Sequence, residues 1–368
     1  MAPIVRLLKQ TNEVEARVCV TAQHRQMLDQ VLELFQIKPD YDLDLMRDGQ
    51  TMAQISAGIF TYLDPILEEL KPDWVLAVGD TTTVVTTSLL AFYRQIKFGH
   101  VEAGLRTHNK WHPFPEEINR RLATVTADLH FAPTEWSQGN LLREGVDAAT
   151  IHITGNSVID ALNFVSQQDE PDEINRLLER LEIASTLSGS RNDARKLILV
   201  TAHRRENFGE PIENICRALK EIATRGDVEI VYPVHLNPNV QEPVHRILKD
   251  IKHITLLPPL DYLPLVHLMK RATLILTDSG GIQEEAPAFG IPVLVMRETT
   301  ERPEGIAAGT LKLVGTETNH IVQETKRLLD DPAEYAKMSK ASNPYGDGHA
   351  AERIIQALLD ANANKIAK

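Results

Sequence analysis

The sequence predicts a two-domain α/β protein, each half built on a mostly parallel sheet. Three observations carry that expectation. Short apolar runs alternate with helix-sized amphipathic segments along the chain. Runs such as LILV (197–200) and VLVM (293–296) are apolar on both faces, as buried parallel strands are. A length of 368 residues corresponds to roughly two domains.

Taken in order, the chain opens on a helix-like pattern, MAPIVRLLK, with no strand ahead of it. Strands are expected at Ala16–Thr21, Trp74–Gly79, Phe98–Glu102, Leu129–Ala132 and Ile151–Thr154. A second series is expected at Leu197–Ala202, Glu229–Pro233, Ile254–Leu257, Leu274–Asp278 and Val293–Met296, with a shorter one at Leu311–Val314. Apolar periodicity places helices between them, among them Met27–Phe35, Ser56–Leu70, Ile212–Ile222 and Ile321–Leu329. Gln167–Arg195, polar and then Ser/Gly-rich, reads as a helix plus loop joining the halves. A last helix is expected at His349–Leu359, with the terminal ANANKIAK frayed. The domains are expected at 1–165 and 166–348, the segment 349–368 packing back on the first.

Composition narrows the function classes. A net charge of −12 argues against a nucleic-acid-binding surface, although basic residues gathered locally can still hold phosphates. Cys19 and Cys216 lie in apolar patterns and read as packed thiols, which with the absence of a signal peptide or membrane-length apolar run points to the cytoplasm.

Ligands of doubly wound sheets bind beyond the carboxyl ends of the strands. In GDTTT (79–83), Asp80 either caps the next helix or carries chemistry. In HVEAGLRT (100–107), Glu102 sits between apolar neighbours, with Arg106 available as an ion partner. In FPEEINR (114–120), Pro115 starts a helix, and the macrodipole accounts for at least one of Glu116 and Glu117. The preceding Trp-His-Pro segment could wall a sugar site. In TAHRREN (201–207), His203, Arg204 and Arg205 suit a phosphate or carboxylate, and Glu206 could pair with one arginine. His235 follows another strand, and Arg297 and Arg302 follow the last long one. In TDSGGIQEEA (277–286), Ser279, Gly280 and Gly281 open a helix whose free N–H groups could bind phosphate, or form an ordinary capped turn. HExxH, CxxC and GxSxG spacings are absent, so neither a metal site nor a serine-hydrolase elbow is expected.

These motifs, with TGNSVIDAL (154–162), YPVHLNPNV (232–240), ETTERPE (298–304) and NPYGDGHA (343–350), occur in one order along the chain. Together they closely resemble the bacterial non-hydrolysing UDP-N-acetylglucosamine 2-epimerases. The resemblance implies a glycosyltransferase-B-like fold, two Rossmann-like domains facing across a cleft, in a cytoplasmic homodimer without cofactor. It implies interconversion of UDP-GlcNAc and UDP-ManNAc by elimination of UDP to 2-acetamidoglucal and re-addition, for cell-envelope polysaccharide. By motif, Asp80, Glu102, Glu116 and His203 become the catalytic residues. Ser279, Gly280, Gly281, Glu285 and Arg302 become UDP-binding residues. Gln23, Gln26, Arg204 and His235 match positions for a second, activating UDP-GlcNAc.

The chain departs from the pattern in three places. Family chains begin with a strand, a Gly-Thr-Arg-Pro-Glu turn and a lysine before the Met-Ala-Pro where this sequence opens. The first strand of domain 1 is therefore expected to be missing, and the polypeptide as written to be poorly stable and weakly active. Gly49 stands beside Arg47 where some activated members carry an arginine, and Leu260 and Leu265 replace Gln and Phe near uracil. Alternatives are a UDP-sugar glycosyltransferase, a hydrolysing epimerase of the same fold, or an inactive UDP-sugar-binding module.

Overall fold

The computed structural model describes residues 1–22, 25–47, 49–183 and 195–366. The chain divides into two compact units, one of residues 1–161 and 345–368, the other of residues 162–344.

In the first unit, β1 (Cys19–Val20) and β2 (Tyr41–Asp42) form a short parallel pair. A separate four-stranded parallel sheet runs in the order β3 (Trp74–Val78), β4 (Lys97–Val101), β5 (Leu129–Ala132), β6 (Ile151–Ile153). The expected strand at Ala16–Thr21 thus shrinks to two residues, because only Cys19 and Val20 find ladder partners, on β2. Cys19, expected to be packed, is exposed on that pair, whereas Cys216 is buried.

The helix Met52–Leu70 starts at a reciprocal cap in which Thr51 and Gln54 satisfy each other's backbone N–H groups. Its apolar stripe, Ile55, Ile59, Leu63 and Leu67, packs with Leu45 and Leu90. On the sheet, Val101, Leu129 and Phe131 pack with Ile4 of the first helix, Ala2–Leu8, and with Ala351, Ile354 and Leu358 of the last. That last helix runs from Ala350 to Ile366, so residues 361–366 of the tail expected to fray are helical, and residues 367 and 368 lie outside those described. Alanine-rich sequence favours helix, and the Trp74 indole N–H donates to Asn362 Oδ1 at 2.9 Å, pinning the extra turns.

The second unit carries six parallel strands: β7 (Lys196–Thr201), β8 (Val228–Pro233), β9 (Ile254–Leu257), β10 (Leu274–Thr277), β11 (Val293–Val295) and β12 (Leu311–Leu313). Their spatial order is β12-β11-β10-β7-β8-β9. The chain winds outward from β7 in one direction, then returns to β10 and winds in the other. The strand order therefore reverses between β7 and β10, where a doubly wound sheet leaves its ligand crevice. Ile198, Val200, Leu274, Leu276 and Leu294 are fully buried, which accounts for the apolar runs visible in the sequence. Of Gln167–Arg195, Asp172–Arg180 is helical, and residues 184–194 lie outside those described.

Both units are Rossmann-like parallel α/β folds, the expected class. Among the described residues, no helix is long and apolar enough to cross a membrane.

Candidate functional site

In the first unit, β3 and β4 deliver Asp80 and Glu102 at their carboxyl ends. The Asp80 carboxylate pairs with the guanidinium of Arg120, and its carbonyl accepts from Asn119 Nδ2 at 2.8 Å. Both partners lie on the helix Glu116–Thr126, so Asp80 ties that helix to the strand end. Glu102 has φ of 65°, in the left-handed region that costs a non-glycine residue roughly 1–2 kcal/mol. Such strain is retained where the surroundings over-determine it, and it concentrates at working sites. Here Asn156 Nδ2 donates to Glu102 Oε2 at 3.1 Å. Two residues on, Gly104 has φ of 90°, and a Cβ there would lie 2.3 Å from the Ser137 carbonyl oxygen, so only glycine fits.

Glu116 and Glu117 part company. The Glu117 carboxylate is fully buried, accepting from the backbone N–H of Thr107 at 2.9 Å and of His108 at 3.0 Å. It also faces Arg120 at 3.7 Å and Arg121 at 3.5 Å. Glu117 is thus the residue that holds the 107–115 loop. Glu116 is half-buried, and its Oε2 is buried without a hydrogen-bond partner among the described residues. An unsatisfied buried carboxylate oxygen is costly unless something else fills the role. Trp111 and Phe114, with ring centroids 5.7 Å apart, stand exposed on the loop.

Arg106 is not the partner of Glu102 that the sequence offered. Its guanidinium is spent on Glu144, at 2.8 and 2.9 Å, and on Thr124 and the Leu105 carbonyl.

The second unit gathers its candidates at the strand-order reversal. β7 ends at Thr201 and β10 at Thr277, which are in register, their hydroxyls 2.6 Å apart. His203 and Arg204 follow the first, Ser279, Gly280 and Gly281 the second. A Cβ placed on Gly280 would lie 3.1 Å from the Arg302 guanidinium and 3.4 Å from Arg204 Nη2. Two cationic side chains therefore flank the glycine turn. Arg302 is anchored by Glu284, at 2.7 Å, on the same turn's helix, and Arg204 Nε is buried without a hydrogen-bond partner among the described residues. The Ser279 N–H is taken by Thr277 Oγ1 at 2.9 Å, which leaves the first helical N–H groups, those of Gly280 and Gly281, without a side-chain cap; beside cationic forks such groups suit an anion. His203 stacks on His235, centroids 5.3 Å apart and planes 16° apart. Burial holds the His203 imidazole below its usual range, with Asp278 pulling the other way and His235 and Arg204 adding to the lowering. Glu206 pairs with Arg297 rather than with an arginine of its own motif, because Arg297, at the end of β11, reaches it across the sheet edge, and Arg297 also holds Glu301.

Glu285 is buried and accepts from the Tyr262 hydroxyl. Burial pushes its carboxyl up to about 7, against the pull of that hydroxyl and with a further push from Glu284. A carboxyl raised on folding adds stability below its unfolded value of 4.5 and loses it as pH rises through about 7. Glu285→Gln is therefore expected to gain on the parent chain by about 2–3 kcal/mol between about pH 5 and about pH 8. Denaturant melts at the two pH values read this, and a constant difference would contradict it.

Three side chains that sequence reading left without a role shape these sites. Asn156 and Arg120 sit inside motifs already singled out, and their signal was that position alone. Tyr262 had none beyond its place at a helix start. Leu260 lines a cavity of about 540 Å³ with Leu177, Leu257 and Pro258, and Leu265 is half-buried. Gln23 lies outside the described residues, as does the side chain of Gln26.

The sequence profile described as UDP-N-acetylglucosamine 2-epimerase matches residues 6–359. An Escherichia coli protein named UDP-N-acetylglucosamine 2-epimerase is 57% identical over 359 residues, covering 97% of this chain and 94% of that protein. The structure of UDP-GlcNAc 2-epimerase from Neisseria meningitidis bound to UDP-GlcNAc superposes with a TM-score of 0.88 at 48% identity, covering 98% of this chain and 96% of that one. The S. aureus MnaA–UDP co-structure gives a TM-score of 0.88 at 46% identity, covering 100% and 94%. Matched along nearly all its length by sequence and by structure, the chain belongs to the UDP-N-acetylglucosamine 2-epimerase family.

Proposed function

We propose that this protein interconverts UDP-GlcNAc and UDP-ManNAc by eliminating and re-adding UDP. The observation that carries this is a division of charge. Asp80 and Glu102 stand at strand ends of the first unit and Glu116 opens the helix that Asp80 holds, its Oε2 buried without a hydrogen-bond partner among the described residues. Guanidinium groups flank the Ser279–Gly280–Gly281 turn of the second.

The C2 proton has no adjacent carbonyl to acidify it, so removal is coupled to departure of the good leaving group on C1. The C2–H bond breaks and its proton passes to a carboxylate. The electron pair forms the C1–C2 double bond of 2-acetamidoglucal, and the C1–O bond breaks with its pair on the β-phosphate oxygen. Asp80, Glu102 and Glu116 serve C2, with Glu116 the proton carrier on one face. Arg302 and the glycine turn hold the diphosphate as its charge develops, and His203 protonates the leaving oxygen. Glu285 holds the ribose. Addition of UDP after protonation on the opposite face inverts C2. Arg204 and His235, with Gln23 and Gln26, take a second UDP-GlcNAc as activator. The product would supply cell-envelope polysaccharide synthesis.

Incubation with UDP-GlcNAc is expected to yield UDP-ManNAc with the nucleotide still attached. Free ManNAc plus UDP would favour a hydrolysing epimerase, and turnover only with an added acceptor would favour a transferase.

The working form is a homodimer. Phe92 and Tyr93 end the helix Thr82–Tyr93, and Leu122 and Val125 lie on the adjoining helix Glu116–Thr126, all exposed, Val125 at 84%. Exposed apolar side chains of this size suit burial against a second copy. Light scattering after gel filtration should give twice the chain mass, and Val125→Asp should shift it to one. A parent chain that runs as a monomer would contradict this.

A further inference from the structure

Asp278, in the TDSGG turn, has no part in the proposed reaction. It is fully buried at the end of β10, directly across the strand-order reversal from the loop that follows β7. Its Oδ2 accepts three donors from that loop: the backbone N–H of His203 at 2.8 Å, that of Arg204 at 2.8 Å, and Asn207 Nδ2 at 3.0 Å. Its Oδ1 is buried, has no hydrogen-bond partner among the described residues, and lies 3.7 Å from Nδ1 of His203.

A buried carboxylate that spends one oxygen on three donors and leaves the other unpaired beside an imidazole is set up to act on that imidazole. We infer that Asp278 is a positioning residue for His203: it fixes the loop that carries the ring, keeps the ring proton on Nδ1, and stabilises the imidazolium that protonates the departing diphosphate. With the proton on Nδ1, Nε2 is the nitrogen that takes up and gives back the proton in each cycle. The other charged or titratable groups facing the ring, Arg204 and the stacked His235, both disfavour a second positive charge there. Asp278 is the group that offsets them. His235 is not the orienting group, because its own Nδ1 already accepts from the Asn237 N–H at 3.0 Å.

The inference rests on the reading of His203 as the acid for the leaving group, and the test keeps the two apart. Asp278→Asn can still accept the loop's N–H groups with its amide oxygen, but it turns an N–H toward His203 and so favours the tautomer with its proton on Nε2. Long-range proton–nitrogen NMR of the full-length protein, with His203→Asn to assign the signal, reads the tautomer. The expected result is an Nδ1-protonated His203 in the parent and an Nε2-protonated one in Asp278→Asn. The kcat should fall by about 10²-fold or more while KM for UDP-GlcNAc stays within about threefold. The kcat/KM profile should also move its alkaline limb, set by loss of the proton His203 must donate, to lower pH. An Nε2-protonated parent would overturn the inference, and that measurement needs no folded variant. So would an Asp278→Asn that changes neither tautomer nor kcat while His203→Asn is inactive. If His203→Asn turned over normally, the reading of His203 itself would fail, and the role of Asp278 with it.

Discussion

Glu116→Gln is expected to lower kcat for epimerisation by about 10³-fold while leaving the melting temperature nearly unchanged. A positioned acid or base contributes on that scale, and glutamine keeps the shape while removing the proton-carrying oxygen. Stability is expected to hold because Glu116 Oε2 makes no hydrogen bond among the described residues that glutamine would break. Its neighbour gives the control. Glu117→Gln disturbs a fully buried carboxylate that accepts two backbone N–H groups and faces Arg120 and Arg121. Removing one partner of a buried ionic set costs on the order of 3–5 kcal/mol, so this variant should lose stability first and activity through it. Paired thermal melts and steady-state kinetics separate the two. Equal loss of stability in both variants, or full activity in Glu116→Gln, would contradict the assignment.

The second large effect is expected at the glycine turn. Gly280→Ala should weaken UDP binding by about 10- to 100-fold with little loss of stability. Alanine is well tolerated in a helix, and the backbone there needs no left-handed conformation. The added Cβ instead meets the ends of Arg302, at 3.1 Å, and Arg204, at 3.4 Å. These flexible tips can move, so folding survives, but Arg302 is the group assigned to the diphosphate, and displacing it misplaces the grip. Titration calorimetry with UDP reads the effect. Unchanged affinity would place the diphosphate elsewhere.

Most of the architecture was legible because parallel strands buried on both faces leave an unmistakable signal. LILV and VLVM fall on β7 and at β11, and Leu129–Ala132 and Ile254–Leu257 match their strands to the residue. β1 and β2 were not legible as such: two residues carry no periodicity, and the apolar run around Cys19 suggested a longer strand. The tail was misjudged because its small, polar residues hide a helix that Trp74 anchors from a distant part of the chain.

The candidate site was legible as a set of motifs, but the division of labour within it was not. Glu116 and Glu117 are equivalent in a first-turn argument. They diverge because successive helical residues point about 100° apart, and only Glu117 takes the N–H groups of Thr107 and His108. Arg106 looked like a partner for Glu102 by proximity in sequence, yet Glu144, 38 positions along the chain, takes it. The place of Asp278 depends on β7 and β10 being neighbours, which follows from the reversal of strand order and from no local pattern.

The central claim is that C2 loses its proton to the protein while the sugar passes through a planar C2. The most direct measurement is proton NMR of UDP-GlcNAc incubated with the full-length protein in heavy water. The account predicts deuterium at C2 of both UDP-GlcNAc and newly formed UDP-ManNAc, with the epimer forming about 10³-fold more slowly when Glu116→Gln replaces the parent. Formation of UDP-ManNAc with its C2 hydrogen fully retained would contradict it.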